Sequence, residues 1–157
     1  MDFYELLQEN AKQENIGRLV IGGVVETDGK YILLERTDNK FMKNLLEIPS
    51  GKIYFGETIL ECLHRQVKEE LGKNIRAVKK YLGHFDYLSD KGILTRQYNF
   101  LIDLDSTDNI KLSEEHKAVY YLTNFECEQS TNISPELMFI LNVANSYNVF
   151  QNLKEKK

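Results

Sequence analysis

The sequence has few cysteines and no long apolar run, and both scarcities narrow the class of protein. Cys62 and Cys127 are the only cysteines among 157 residues, and they predict two free thiols in a reducing compartment, with one disulfide as the alternative. No stretch approaches the roughly 20 apolar residues that span a bilayer, and no basic leader precedes an apolar run. We therefore expect a soluble cytoplasmic protein with no membrane partner.

The chain also lacks a basic excess. Its 24 acidic residues outnumber its 20 lysines and arginines, which gives a formal net charge of -4. Polymeric nucleic acid is bound mainly through basic side chains that neutralise phosphates, so this class of partner is disfavoured. An anionic small ligand would need a divalent cation or a local basic pocket.

No internal repeat, low-complexity tract or Gly/Ser/Pro linker divides the chain, and its length suits one domain. The apolar spacing of Asp2 to Lys12 predicts a short amphipathic helix capped by the aspartate. We accordingly predict an N-terminal helix over residues 1–15, one domain over residues 16–150 and a C-terminal tail over residues 151–157, frayed from Lys154 onward.

Strands are predicted on both sides of a central helix. The dipeptide Asp28-Gly29 separates two apolar runs and is typical of a tight β-hairpin. Segments rich in β-branched or aromatic residues predict three later strands, over Tyr81–Tyr87, Gln97–Leu104 and Ala118–Leu122.

The central helix is predicted over Thr58 to Leu71, because its apolar residues recur at steps of four and form one buried stripe. Gly72 is placed to end this helix in a left-handed conformation. A last helix is predicted with Ser134 as N-cap and Pro135 at the first helical position. Helices packed on a mixed sheet give an α/β or α+β layered domain.

Three polar side chains of the central helix are spaced so that they share a face. Gln66, Glu69 and Glu70 are related by three and four positions, and the two adjacent acids repel one another. A bound cation would reverse that repulsion, and hard oxygen ligands suit Mg²⁺ or Mn²⁺. The alternative on these acids alone is a solvated charged face.

The spacing of the surrounding segment, residues 51 to 73, resembles the Nudix box. The residues that match in register are Gly51, Glu57, Arg65, Val67, Glu69, Glu70 and Gly72. Gln66 and Lys73 depart from it. The approach Leu46 to Gly51 is also similar to the family's, and the resemblance covers Ile16 to Tyr147. It implies an α/β/α sandwich with a mixed β-sheet between helices.

The resemblance implies a metal site and a structural brace. The Gly51 carbonyl and the carboxylates of Glu69 and Glu70 would bind Mg²⁺ or Mn²⁺, and Glu57 would pair with Arg65 to hold the loop against the helix. Relatives often place a further acid on a loop before a late strand, where it binds metal or activates water. Glu115 is the candidate for that role, with Glu114 second and a solvated acidic turn as the alternative. His116 is interpreted as a loop residue, because the expected metal prefers oxygen.

Gln66 stands where many relatives have a glutamate that binds metal or acts as the general base. An amide can offer its carbonyl oxygen to a metal, but it cannot accept a proton from water near neutral pH. If Glu115 is the base, chemistry remains open to the chain. If the base was at position 66, the protein would be a catalytically weakened module that binds nucleotides or has a regulatory role.

The activity that the resemblance implies is hydrolysis of a diphosphate bond by attack of metal-activated water on phosphorus. Nucleoside triphosphates and related nucleoside-diphosphate-linked compounds are the default substrates. The subgroup acting on ADP-ribose is disfavoured, because no proline follows the box at the expected distance.

Two residues of a later strand are candidate substrate contacts. Arg96 would bind phosphate and Tyr98 would stack on a base, with ordinary sheet packing as the alternative. A homodimer is allowed beside a monomer. An interaction module built on the helix of Asp2 to Lys12 is a third hypothesis.

Overall fold

A computed structural model describes residues 1–37 and 44–155 of the chain. The helices are α1 (Phe3–Gln13), α2 (Ile59–Leu71), α3 (Asn124–Gln129) and α4 (Pro135–Glu155). The strands are β1 (Arg18–Thr27), β2 (Lys30–Arg36), β3 (Leu46–Glu47), β4 (Ser50–Lys52), β5 (Ile75–Leu88), β6 (Leu94–Leu104) and β7 (His116–Leu122). Over these ranges, no helix has the length and apolar character needed to cross a membrane.

The seven strands form one mixed sheet. Its main order is β3-β2-β1-β6-β5, while β4 pairs with β1 and β7 pairs with β2. The central pair β1 and β6 is parallel over eight residue pairs, and the other pairings are antiparallel. A parallel centre with antiparallel edges is the mixed arrangement that the sequence predicts.

Side chains alternate along the strands, so both faces of the sheet carry apolar side chains, and helices cover each face. On β6, Tyr98 and Phe100 lie in the core beneath α1 and α2, whereas Leu101 lies in the core beneath α4. On β2, Ile32 faces the first of these cores and Leu33 faces the second. The predicted α/β/α sandwich is therefore confirmed.

Local signals set the boundaries of the best-predicted elements. Thr58 caps α2 through a reciprocal capping box with Glu61, and Gly72 ends the helix at φ 69°. The hairpin between β1 and β2 turns through Asp28 and Gly29, both at positive φ. The predicted end of the helix at Gly72 and the predicted hairpin are confirmed, whereas the Thr58 capping box was not part of the prediction.

The helix α1 begins at its Asp2 cap, as predicted, and packs into the same core as the box helix. Leu7 and Ala11 are buried there, and the Tyr98 hydroxyl donates to the Leu7 carbonyl at 2.7 Å. Part of the apolar side of α1 is thus covered, whereas Phe3 and Leu6 are 46% and 47% exposed, and the hypothesis of an interaction module built on this helix stays a prediction.

Several short or terminal elements differ from the prediction. The strands β3 and β4 and the helix α3 are absent from it, and β5 begins six residues earlier than predicted. Residues 151–155 continue α4 instead of forming a tail, while Lys156 and Lys157 lie outside the described residues. His116 opens β7 instead of lying in the preceding loop. Both cysteines are buried free thiols, as predicted.

Candidate functional site

The side chain of Gln66 rests directly on Gly51, where α2 crosses β4. A Cβ atom added to Gly51 would lie 1.9 Å from Gln66 Nε2 and 2.3 Å from its Oε1, far inside van der Waals contact. Only glycine therefore allows the amide to occupy this position. Gln66 itself is 7% exposed, so it belongs to the interface between helix and strand.

A bidentate ion pair joins the loop before α2 to the helix. Arg65 donates from Nε to Glu57 Oε2 at 2.6 Å and from Nη2 to Oε1 at 2.9 Å. The guanidinium also donates to the Lys52 carbonyl at 2.9 Å and lies 3.6 Å from the centre of the Tyr54 ring. The hydrogen bonds from Arg65 lower the pKa of Glu57. This pair fixes the loop against the helix, because a guanidinium fork constrains both backbone segments.

Glu70 is the buried acid of the site. It is 4% exposed, and its Oε2 accepts a hydrogen bond from the Ser50 amide at 2.9 Å. Burial raises the pKa of Glu70 to about 8, and the charges of Glu47 and Glu115 add to the increase against the lowering effect of the Ser50 hydrogen bond. Glu70 thus lies in an acidic region with Glu47 and Glu115, where the charge of Arg36 lowers its pKa but does not cancel the effect of burial.

Glu69 lies in a different environment from its neighbour. Its side chain is 53% exposed, and its Oε2 lies 3.4 Å from Arg65 Nη1. Of the three side chains predicted to share a face, Gln66 and Glu70 are buried against β4 and Glu69 is on the solvent side. A solvated charged face, the alternative on spacing alone, therefore describes Glu69 but not Glu70.

Glu47 is a site residue that the sequence reasoning missed. Its Oε1 lies 2.8 Å from His116 Nε2 and 3.4 Å from Arg36 Nη1, so partners from β7 and β2 hold it beside Glu70. The His116 side chain has no exposed surface, and its Nδ1 has no hydrogen-bond partner within residues 1–37 and 44–155. The only local signal was the position of Glu47 four residues before Gly51, because its partner His116 lies 69 positions further along the chain.

The loop before β7 brings its acids towards the same place. The carbonyls of Glu114 and Glu115 both accept hydrogen bonds from Thr37, at 3.0 Å from its hydroxyl and 2.8 Å from its amide respectively. Both acidic side chains are exposed. Of the two, Glu115 is the one whose charge raises the pKa of Glu70.

The donor atoms suit a hard divalent cation, although they do not form a finished site. Among the residues that the structure describes, no three Asp, Glu, His or Cys side chains converge closely enough to hold a metal ion alone. Mg²⁺ commonly takes only one or two protein carboxylates and completes its shell with waters and substrate phosphates. Glu70, Glu69 and the Gly51 carbonyl offer such oxygens, and a cation would offset the crowded charge around Glu70. The residues present therefore fit the metal.

A pocket of about 320 Å³ opens beside Glu47 and Ser50, whose amide binds Glu70. Its walls include Phe85 and Tyr87 of β5, and Gln97 of β6 also contributes. The pocket is thus continuous with the acidic region and is large enough for a small organic ligand.

The structure does not bring Arg96 and Tyr98 to this pocket. Both lie on the opposite side of β6 from Gln97, where they line a separate cavity with α1. Arg96 forms a bidentate pair with Asp86, at 2.7 and 2.9 Å, and also bonds Glu14. These contacts are those of sheet packing, the alternative raised for both residues.

Comparison with known proteins adds a family and several relatives. A family model described as the NUDIX domain matches residues 17–138. The chain is 38% identical over 65 residues to an ADP-ribose pyrophosphatase of Methanocaldococcus jannaschii. The matched segment covers 41% of this chain and 37% of that protein. It is 32% identical over 72 residues to YtkD of Bacillus subtilis, named as an 8-oxo-dGTP diphosphatase, over 46% of this chain and 42% of that one. These matches span less than half the length of either relative.

Solved structures share the fold. The crystal structure of a MutT protein from Methanosarcina mazei superimposes with a TM-score of 0.72 at 18% identity, covering 83% of this chain and 94% of that one. At this identity the likeness concerns the arrangement of strands and helices alone.

Proposed function

Because the chain belongs to the NUDIX domain family, we propose that it is a cytoplasmic, Mg²⁺- or Mn²⁺-dependent pyrophosphohydrolase that cleaves a diphosphate bond in a small nucleotide. The substrate class we favour is the nucleoside triphosphates and related nucleoside-diphosphate-linked compounds. The observation that carries the proposal is the buried carboxylate of Glu70, crowded by Glu47 and Glu115 at the mouth of a pocket. A carboxylate buried in this way is ionised at low cost only when a cation joins it, and otherwise it holds a proton.

The residues of the box have two proposed roles, metal binding and support of the loop and helix. Glu70, Glu69 and the Gly51 carbonyl would hold the metal, with Glu115 as a further ligand from the loop. Glu57 and Arg65 would keep the loop and helix in place, and Gly72 would end the helix. When bound, the metal supplies positive charge that polarises phosphoryl oxygens and lowers the pKa of water.

Glu115 is the proposed proton acceptor. It is exposed beside Glu70, whereas the Gln66 amide cannot take a proton near neutral pH. In the reaction, a water oxygen bonds to phosphorus, and the P–O anhydride bond breaks with its electron pair on the oxygen of the departing phosphate group. One water proton moves to the Glu115 carboxylate and the other stays on the attacking oxygen. Position 66 is then free to serve packing on Gly51 instead of proton transfer.

The experiment is a chromatographic screen for hydrolysis products over nucleoside triphosphates, ADP-ribose, nucleotide sugars and dinucleoside polyphosphates, with and without Mg²⁺ or Mn²⁺. Glu70→Gln and Glu115→Gln should each reduce turnover at least about 100-fold. The matched control is Glu128→Gln, an exposed acid of α3, which should retain the wild-type rate. Nucleotide binding without hydrolysis under every condition would support the binding-module alternative and refute the enzyme.

A further inference from the structure

We infer that the pocket beside Glu47 selects a guanine-type base, whose ring edge presents two adjacent N–H donors, over adenine. This inference rests on the proposed function for its location, because the base would lie next to the site of phosphate chemistry. It depends on which hydrogen-bonding atoms the pocket leaves for a ligand.

A buried amide network fixes the orientation of Gln97. The Asn99 Nδ2 group donates to the carbonyls of Gly83 and Gln97, both at 3.2 Å. Reversing the Asn99 amide would set its oxygen against two carbonyl oxygens, so Asn99 Oδ1 must be the atom that faces Gln97. Gln97 Nε2 accordingly donates to Asn99 Oδ1 at 2.8 Å.

The same network determines which Gln97 atom remains for a ligand. With Nε2 bound to Asn99, the atom left for the pocket is Oε1, which accepts no hydrogen bond from the residues that the structure describes. Gly22 leaves the space for this arrangement, since a Cβ there would lie 2.8 Å from Asn99 Oδ1 and 2.9 Å from Gln97 Nε2. Gln97 therefore acts towards a ligand as a fixed acceptor.

A second acceptor comes from the start of α4. Glu136 lines the pocket in the first helical turn and is exposed, and no group within residues 1–37 and 44–155 hydrogen-bonds its carboxylate. An ionised carboxylate only accepts hydrogen bonds. Gln97 and Glu136 can therefore both accept hydrogen bonds from a ligand that carries donor groups.

The pocket walls suit a flat ring. Phe85 and Tyr87 lie on the same side of β5 with ring centroids 6.1 Å apart, and Ile48 and Leu137 provide apolar surface. Aromatic side chains bind the faces of any base and so give little selection between bases. Selection must therefore come from the two acceptors.

The bases differ in what they offer to such acceptors. Guanine presents N1–H and its 2-amino group side by side, whereas adenine presents an acceptor at N1 and hypoxanthine lacks the 2-amino group. Cytosine and uracil likewise place acceptors beside their donors. An acceptor facing an acceptor leaves both without a partner, which is the costly outcome for a buried amide.

The test measures binding of GMP, IMP and AMP to the whole protein by isothermal titration calorimetry without divalent metal, so that hydrolysis plays no part. GMP should bind at least about 10-fold more tightly than AMP, with IMP between them, since one hydrogen bond to a charged acceptor is worth roughly 10- to 100-fold. Glu136→Ala should remove most of the preference for GMP over IMP. Glu155→Ala, an exposed acid at the other end of α4, should leave it unchanged.

Equal affinities for GMP and AMP, no GMP binding at millimolar concentration, or an unaltered preference in Glu136→Ala would each overturn the inference. These outcomes are separate from those of the hydrolysis screen. Metal-dependent hydrolysis of all triphosphates without preference would support the proposed enzyme and refute the selection of guanine by the pocket. Selective GMP binding by a protein that hydrolyses nothing would do the reverse.

Discussion

The raised pKa of Glu70 predicts an unusual pH dependence of stability for the metal-free protein. In the folded chain the pKa of this carboxyl is about 8, against an ordinary 4.5 once the chain unfolds. Between these values the folded state holds a proton that the unfolded state has lost. The contribution of Glu70 to the free energy of unfolding must therefore fall as pH rises from about 4.5 to about 8.

The size of the effect follows from the shift. Each pKa unit corresponds to about 1.4 kcal/mol, so the full shift amounts to at most about 5 kcal/mol. This is comparable with the whole stability of many domains. Glu70→Gln removes the titration but keeps an oxygen for the Ser50 amide. The variant should match the wild type near pH 5 and exceed its stability by several kcal/mol near pH 8.

The assay is urea unfolding followed by circular dichroism at pH 5 to 8, in the presence of a chelator. Glu69→Gln, the exposed neighbour, is the control and should retain the wild-type slope. Adding Mg²⁺ should stabilise the wild type more at pH 8 than at pH 6, because binding at low pH must first displace the proton. If wild type and Glu70→Gln unfold with the same pH dependence, the buried-acid description of the site is wrong.

Three further predictions concern the box. Gly51→Ala should destabilise the protein by about 1–3 kcal/mol, because its new methyl group collides with the Gln66 amide, and Gln66→Ala in the same chain should restore much of the loss in thermal unfolding. Arg65→Lys should cost about 1–3 kcal/mol, since an ammonium cannot reproduce the bidentate pair; an unchanged melting temperature would contradict the brace. Gln66→Glu should tighten Mg²⁺ binding about tenfold or more in calorimetry, and no change would show that position 66 lies away from the metal.

The parts of the fold that the sequence predicts well are those with local causes. The helix α2 has a capping box at Thr58, an apolar stripe and a glycine end, all within its own residues. The strands β3 and β4 have two and three residues and exist because β2 and β1 pair with them. No periodicity can be read from so short a segment, so only the assembled sheet defines them.

The candidate site shows the same division. Helical spacing placed Gln66, Glu69 and Glu70 together, but it could not say that β4 would bury Glu70 and leave Glu69 in solvent. The contact between Glu47 and His116 joins residues that no local pattern relates. The different environments of the acids arise from packing, and packing also gives Glu70 its unusual pKa.

The helix α1 has a consequence for where this protein can be divided. The family match begins at residue 17, yet Leu7 and Ala11 fill the core and Glu14 bonds the buried Arg96. A chain trimmed to the matched region would expose the rings of Tyr98 and Phe100 and leave one partner of Arg96 missing. Residues 3–16 thus belong to the packed domain although the family match does not include them, and we expect their removal to destabilise it.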